Sequence, residues 1–475
     1  MSGNTTGRQA CAVAARHVAS RSPVAVSLAL IIALVSWSAA RAADDPQPTV
    51  APSPAAPADD GTEQQWAIHG QSTYTQQFQP AFRSPYQGAQ SLSPSANGHE
   101  TFDATLFAGF RPWQGAEVWV DPEIDQGFGL SNSFGVAGYL SGEAYKLGES
   151  APYYRMSRAF FRQTIDLAGE TQKVDADLNQ LRGTQTADRL VLTVGKISVV
   201  DIFDTNKYAH DPRNDFLNWS VVDIGTFDYA ADAWGATYGA TAEWYQNWWT
   251  VRAGMFDLSE VPNSVHLNMP LLHQWQAVGE LEERHQIGER AGKLKFLYWL
   301  SHGNLGTYAD ALALAATTGT TPSTAAVRSY RYKYGVALNL EQELTDDIGL
   351  FARAGWTQPG VEEDDFTDID KSLQIGVVMT GARWGRPDDS VGVAAVANQI
   401  SHSAKLYFAA GGLGGIIGDG TLPEAGPEQL IESYYSFAAF SFMKITGDYQ
   451  FINNPAYNRQ RGPVSVLALR FHVEY

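Results

Sequence analysis

The chain has 475 residues, with 33 Lys and Arg against 51 Asp and Glu, a formal charge of −18 and a mean hydropathy of −0.22. So acidic a balance argues against a nucleic-acid partner, which would demand a basic footprint. Past residue 42 there is no run of roughly 18 or more apolar residues, so helical spanning of a bilayer is excluded and only alternating strands are left as a way across.

At the N-terminus, Arg8, Arg16 and Arg21 precede an apolar run from Val24 to Trp37, and Ala40-Arg41-Ala42 presents the small-x-small pattern of a signal peptidase site. Residues 1–42 are expected to be a cleaved secretory signal, because the apolar core falls short of the about 20 residues that a spanning helix needs. Cys11, the one cysteine, lies before that run rather than after it, so the exported chain is expected to carry no thiol, no disulfide framework and no thiolate metal site. Loss of the four arginines in this stretch leaves 29 basic against 51 acidic residues, near −22. Such a charge suits cation-attracting vestibules, or simply a solubilising surface. Residues 43–65, which include Pro52-Ser53-Pro54-Ala55-Ala56-Pro57, read as an extended, disordered periplasmic linker.

From residue 66 onward, period-2 alternation recurs. Phe102, Ala104, Leu106, Ala108 and Phe110 oppose Asp103, Thr105, Phe107, Gly109 and Arg111; Tyr330, Tyr332, Tyr334, Val336, Leu338 and Leu340 oppose Arg331, Lys333, Gly335, Ala337, Asn339 and Glu341. One such segment also fits a soluble sandwich. Repetition along the chain points to about sixteen strands, near 67–78, 101–111, 116–126, 156–169, 188–199, 233–246, 248–257, 276–287, 290–302, 329–342, 348–358, 371–383, 391–400, 430–441, 443–452 and 463–475. Connections alternate between tight (112–115, 246–247, 343–347) and long (127–155, 200–232, 303–328, 401–429), as between the periplasmic and external ends of an outer-membrane barrel. The connection 170–187 is long where a turn is due, and is expected to form a periplasmic excursion. The final segment sets Ser465, Leu467, Leu469, Phe471, Val473 and Tyr475 against Val466, Ala468, Arg470, His472 and Glu474, a one-sided strand that ends on an aromatic. The expected fold is an all-β transmembrane antiparallel barrel over 66–475, with Tyr475 as the handle for the barrel-assembly machinery.

Two blocks carry a resemblance. Val194-Gly195-Lys196, Asp201-Ile202-Phe203-Asp204, Asn206 to Arg213 and Phe216-Leu217-Asn218-Trp219 form one; Asp448 to Asn458, Arg461-Gly462-Pro463-Val464 and Arg470-Phe471-His472 form the other. They resemble the OprB-like carbohydrate-selective porin family over roughly 66–475. The resemblance implies a Gram-negative outer-membrane channel, in contact with lipid and lipopolysaccharide, that passes monosaccharides such as glucose by diffusion into the periplasm. Some family members are proposed to admit manganese, so passage of Mn²⁺ or other small cations is a second reading. A plugged structural barrel is a third. A homotrimer follows only from general porin architecture.

Strand parity turns Arg111, Trp119, Asp121, Glu123, Arg158, Arg162, Arg252 and Arg353 inward. These are the expected constriction residues. Acidic residues cluster on one arc and basic residues on others, which implies a transverse field, with plain salt bridging of the wall as the alternative. Asp204, Asn206, Asp211, Arg213 and Asn218 are expected at the entrance, or else as turn caps. The run Glu362, Glu363, Asp364 and Asp365, continued by Asp368 and Asp370, is expected as a hydrated external tip, with hard-oxygen binding of Mn²⁺ as the weaker alternative. Trp244, Tyr245, Trp248 and Trp249 are expected in an interfacial girdle. No HExxH, Gly-x-Ser-x-Gly or phosphate-cradling loop is present, so neither an enzyme nor a cofactor is expected.

Overall fold

The computed structural model describes residues 63–144, 148–366 and 368–475. The expected signal and nearly all of the expected linker therefore lie outside the described residues. The first eight strands are β1 (Trp66–Gln79), β2 (Asn97–Phe110), β3 (Ala116–Gly127), β4 (Tyr153–Val174), β5 (Gly183–Ile197), β6 (Thr237–Gln246), β7 (Trp249–Asp257) and β8 (Trp275–Ile287). The second eight are β9 (Arg290–Leu305), β10 (Ser329–Thr345), β11 (Ile348–Thr357), β12 (Lys371–Gly381), β13 (Arg386–Gln399), β14 (Glu428–Phe440), β15 (Met443–Asn453) and β16 (Val464–Glu474). Each pairs antiparallel with its neighbours in sequence, and β1 closes on β16 from Gln71 opposite Glu474 to Phe78 opposite Leu467. The ring has no free edge, which is the condition for strands in lipid.

Alternation sorts the two faces. On β12, Leu373 and Ile375 are 61% and 52% exposed toward the bilayer, while Gln374 between them is fully buried in the lumen. All sixteen expected segments fall on strands, with ends displaced by a few residues. The largest difference is at 170–187. The excursion expected there takes the form of a hairpin, because most of this stretch continues β4 and β5 as a stem. Both faces of the stem meet water, so its sequence lacks the apolar alternation that marks the other strands.

The core lies inside the ring. The external loop 198–236, which contains the short helix α1 (Trp219–Val222), folds into the lumen and buries Phe203, Phe216, Val221, Ile224 and Phe227. Phe216 meets Tyr434 edge-on at 4.9 Å and Phe351 at 5.6 Å. Gly392 on β13 makes room for this contact, because a Cβ there would lie 2.3 Å from Tyr434 and 2.8 Å from Phe216. Other external loops carry α2 (Tyr308–Thr318) and α3 (His402–Ala409), capped by Thr307 and Ser401. Among the described residues no helix is long and apolar enough to cross a membrane.

Candidate pore and constriction

One cavity of about 710 Å³ occupies the side of the barrel bounded by β2 to β7. Asn179 and Leu181 of the β4–β5 hairpin line it at the periplasmic side, and Tyr139, Trp219, Tyr229 and Phe366 of the inward-folded external loops line its other end.

Between these ends the wall is charged in pairs. Pro122 lacks the N–H needed for the ladder, and the β3–β4 register shifts between Asp121 and Pro122. This bulge lets Arg155 and Arg158 both reach inward. The Arg155 guanidinium clasps Glu123 and Asp125 (Nε to Asp125 Oδ2, 2.5 Å), and Glu123 also accepts from the Thr105 hydroxyl at 2.7 Å. From the 198–236 loop, Arg213 approaches Asp103 at 3.3 Å, Glu143 at 3.4 Å and Glu123 at 4.0 Å. Arg158 donates to Asp201 at 2.7 and 2.5 Å. Lower down, Arg252 meets Glu243, Glu280 and Glu282 at 3.1, 2.8 and 2.9 Å. Acid and base are thus joined as neighbours, on adjacent strands or between wall and loop, rather than opposed across the lumen as the transverse-field expectation had it.

The external end is aromatic. Trp219 stacks on Phe366 at 5.1 Å and on Tyr229 at 5.8 Å, and Tyr139 meets Trp219 edge-on at 6.0 Å. Nearby, His210 Nδ1 lies 3.5 Å from Asp223 Oδ1. Burial works against charge on His210, but the hydrogen bond and charge of Asp223 outweigh it and hold the imidazole above its ordinary value.

The residues expected at the pore divide. Glu123, Arg158, Arg162, Arg252, Asp211 and Arg213 line the cavity, as does Arg111 at its periplasmic end. Trp119 does not: it is 0% exposed, its indole donates to Glu117 at 2.9 Å, and its ring fills the place where Gly109 has no Cβ. Asp121 is likewise sealed within the wall, opposite Arg158 in the ladder. Arg353 is buried beneath the loop and donates to the carbonyls of Val221 (2.9 Å), Ala209 (2.7 Å) and Asp204 (3.1 Å). Asp204 pairs with Arg353 at 3.2 Å, Asn206 donates to Asn339 at 2.7 Å, and Asn218 caps α1 and donates to Gln450 at 3.1 Å. These three anchor the loop instead of lining an entrance. Tyr245 also leaves its expected place in the girdle, for it shares the inward parity of Glu243 and lies 3.8 Å beneath the Arg189 guanidinium.

The acidic run is not a hydrated tip. Glu362, Glu363, Asp364 and Asp365 are all buried. Glu362 pairs with Arg328 at 2.7 Å and accepts from the Gly306 amide, Glu363 accepts from Tyr308, and the Asp364 and Asp365 amides donate to Asp228, itself 3.0 Å from Lys333. Burial, then the like charges of neighbouring aspartates, push the Asp364 and Asp365 carboxyls well above their usual range. Among the described residues no group of three or more His, Cys, Asp or Glu is arranged to hold a metal ion.

Sequence reasoning missed Arg155, which falls at the end of the expected connection 127–155; β4 instead begins at Tyr153, and the bulge turns Arg155 inward. The signal was present, since a proline inside a strand marks an edge or a bulge and β3 is no edge. It also missed the stack of Tyr139, Tyr229 and Phe366, which only loop folding assembles.

A family model described as carbohydrate-selective porin, OprB family, matches residues 89–475. Among solved structures, the chain is similar to the high-pH structure of Pseudomonas putida OprB, with 15% identity and a TM-score of 0.65 over 86% of this chain and 94% of that one. The low-pH structure of that protein gives 11% identity and a TM-score of 0.47 over 86% and 93%. The channel DcaP of Acinetobacter baumannii gives 9% and 0.46 over 86% and 97%. No curated protein matches the chain.

Proposed function

The chain belongs to the OprB family of carbohydrate-selective porins, and from that premise we propose that it lets monosaccharides, glucose among them, diffuse across the outer membrane into the periplasm. The supporting observation is the cavity along β2 to β7, where paired charges line the wall and an aromatic stack borders the external end. Its volume lies within the roughly 300–1,000 Å³ typical of small-ligand sites. Carboxylates and guanidiniums already joined to one another offer many donors and acceptors at little net field. Such a wall exchanges hydrogen bonds with an uncharged polyol without favouring either sign of ion. Trp219, held in place by the buried Tyr229 and Phe366, adds an aromatic surface for the C–H edges of a pyranose ring. Glu123 and Asp125 are engaged by Arg155, so they offer no bare carboxylate ring of the kind that concentrates cations.

Swelling of proteoliposomes tests this reading. Glucose and other monosaccharides should enter readily, and maltooligosaccharides more slowly with each added ring. Equal exclusion of all sugars, with salt passing freely, contradicts it.

A further inference from the structure

We propose that the β4–β5 hairpin tip, residues 175–182, is a second, periplasmic size filter that lies across the channel exit and sets the upper limit on the solute. The inference rests on the reading of the barrel as a conducting pore and adds a specificity-determining segment to it.

Four of the other turns on this end span only 247–248, 288–289, 346–347 and 441–442. The β4–β5 hairpin instead continues past the last regular pair, Asp166 opposite Arg189, to Val174 opposite Gly183. Its ladder slips twice, between Asp166 and Ala168 and between Ala168 and Thr171, and Gly169 adopts φ +87°. Two irregularities around a left-handed glycine bend the stem. Beyond the bend the tip closes on itself through mutual backbone hydrogen bonds of Asp177 and Gln180 at 3.0 and 3.1 Å.

The bend carries the tip inward, where the wall clamps it. Arg162 donates to the Asn179 carbonyl at 2.8 Å, and Arg111 to the carbonyls of Arg182 at 3.2 Å and Leu181 at 3.4 Å. Glu117 accepts the Leu181 amide at 3.4 Å while paired with both Arg162 and Arg111. Leu181 is 0% exposed and belongs to the same apolar cluster as Ala67 on β1 and Phe107 on β2. The tip thus starts from β4 and β5 and reaches the β1–β2 wall. Gln64, just before β1, fixes it there, donating its amide to the Arg182 carbonyl and accepting the Arg182 amide, both at 3.0 Å. Asn179 and Leu181 face the cavity from below. A solute that has passed Arg155 and Glu123 must still pass this tip.

The experiment is single-channel recording with sugars of increasing length, in a chain carrying Cys11→Ser. One variant replaces residues 168–187 by Asn-Gly, the shortest hairpin turn. The other is Asn179→Cys, treated from the periplasmic side with a bulky methanethiosulfonate. The deletion is expected to raise unitary conductance and admit an oligosaccharide that the parent excludes, and modification of Asn179→Cys to lower the current. A folded deletion variant with the parent's conductance and size limit overturns the proposal. If the deletion does not fold, undiminished current after complete modification of Asn179→Cys overturns it. A parent protein that conducts nothing removes the pore reading and this proposal together, whereas a conducting parent with unresponsive variants removes this proposal alone.

Discussion

Along β2 to β7 the inward side chains meet a cavity, whereas along β10 to β16 they meet the 198–236 loop, although both stretches alternate in the same way in sequence. On the filled side the loop backbone takes the place of water. Arg353 donates to three loop carbonyls, Asn339 donates to Asp204, Glu432 accepts the amides of Leu217 and Asn218, and Arg470 donates to the carbonyls of Pro212 and Asp215. On the open side many of the charged groups pair with one another and still border free space. Facing inward therefore does not make a residue part of the channel. What decides is whether a loop covers it.

The contrast can be broken most strongly at Arg353. Its removal by Arg353→Ala leaves Asp204 and several loop carbonyls buried without their donor, at a cost of about 3–5 kcal/mol. The expected result is a markedly lower unfolding midpoint in heat-modifiability gels, together with noisier and larger conductance as the loop loosens. At Glu123 a smaller penalty of about 1–3 kcal/mol is expected for Glu123→Ala. Here the main effect is on selectivity, because Arg155 and Arg213 lose a shared counter-charge and the reversal potential in a salt gradient should move toward anions. Trp219→Ala sharpens the contrast without unseating the loop. With an aromatic pair worth about 0.5–1.5 kcal/mol, block by glucose should weaken roughly two- to tenfold while salt conductance holds or rises.

The smallest effect concerns pH. The folded pKa of His210 is raised, so its pairing with Asp223 contributes stability that is full below the unfolded value near 6.5 and is lost as pH rises through the higher folded value. Hydrogen exchange over 209–223 should accelerate across that window, and His210→Gln should flatten the dependence.

Much of the wall is legible in the amino-acid sequence, because lipid on one side and polar lumen on the other force a period of two on every strand. The β12 sequence Leu373, Gln374, Ile375 carries that information unaided. The interior is less legible, since parity shows which way a side chain points and not what it meets. Arg353 and Arg252 both read as inward cations, yet one holds the loop and the other lines the cavity. The acidic run 362–370 misleads for a related reason: charge density suggests hydration, but Arg328, Lys333, Tyr308 and backbone amides that converge only in three dimensions allow its burial. Arg155 is hidden because its strand is expected to begin only at residue 156, and because the bulge between Met156 and Arg158 reverses parity for the residues before it.

Solutes are expected to travel along the β2–β7 side alone, where the cavity lies. Single-channel recording before and after thiol modification of Thr193→Cys on β5 and Ser372→Cys on β12, each with Cys11→Ser, tests it most directly. A charged methanethiosulfonate should cut the current through Thr193→Cys, which lines the cavity, and leave Ser372→Cys, sealed beneath the loop, unchanged. Block at Ser372→Cys with no effect at Thr193→Cys would contradict it.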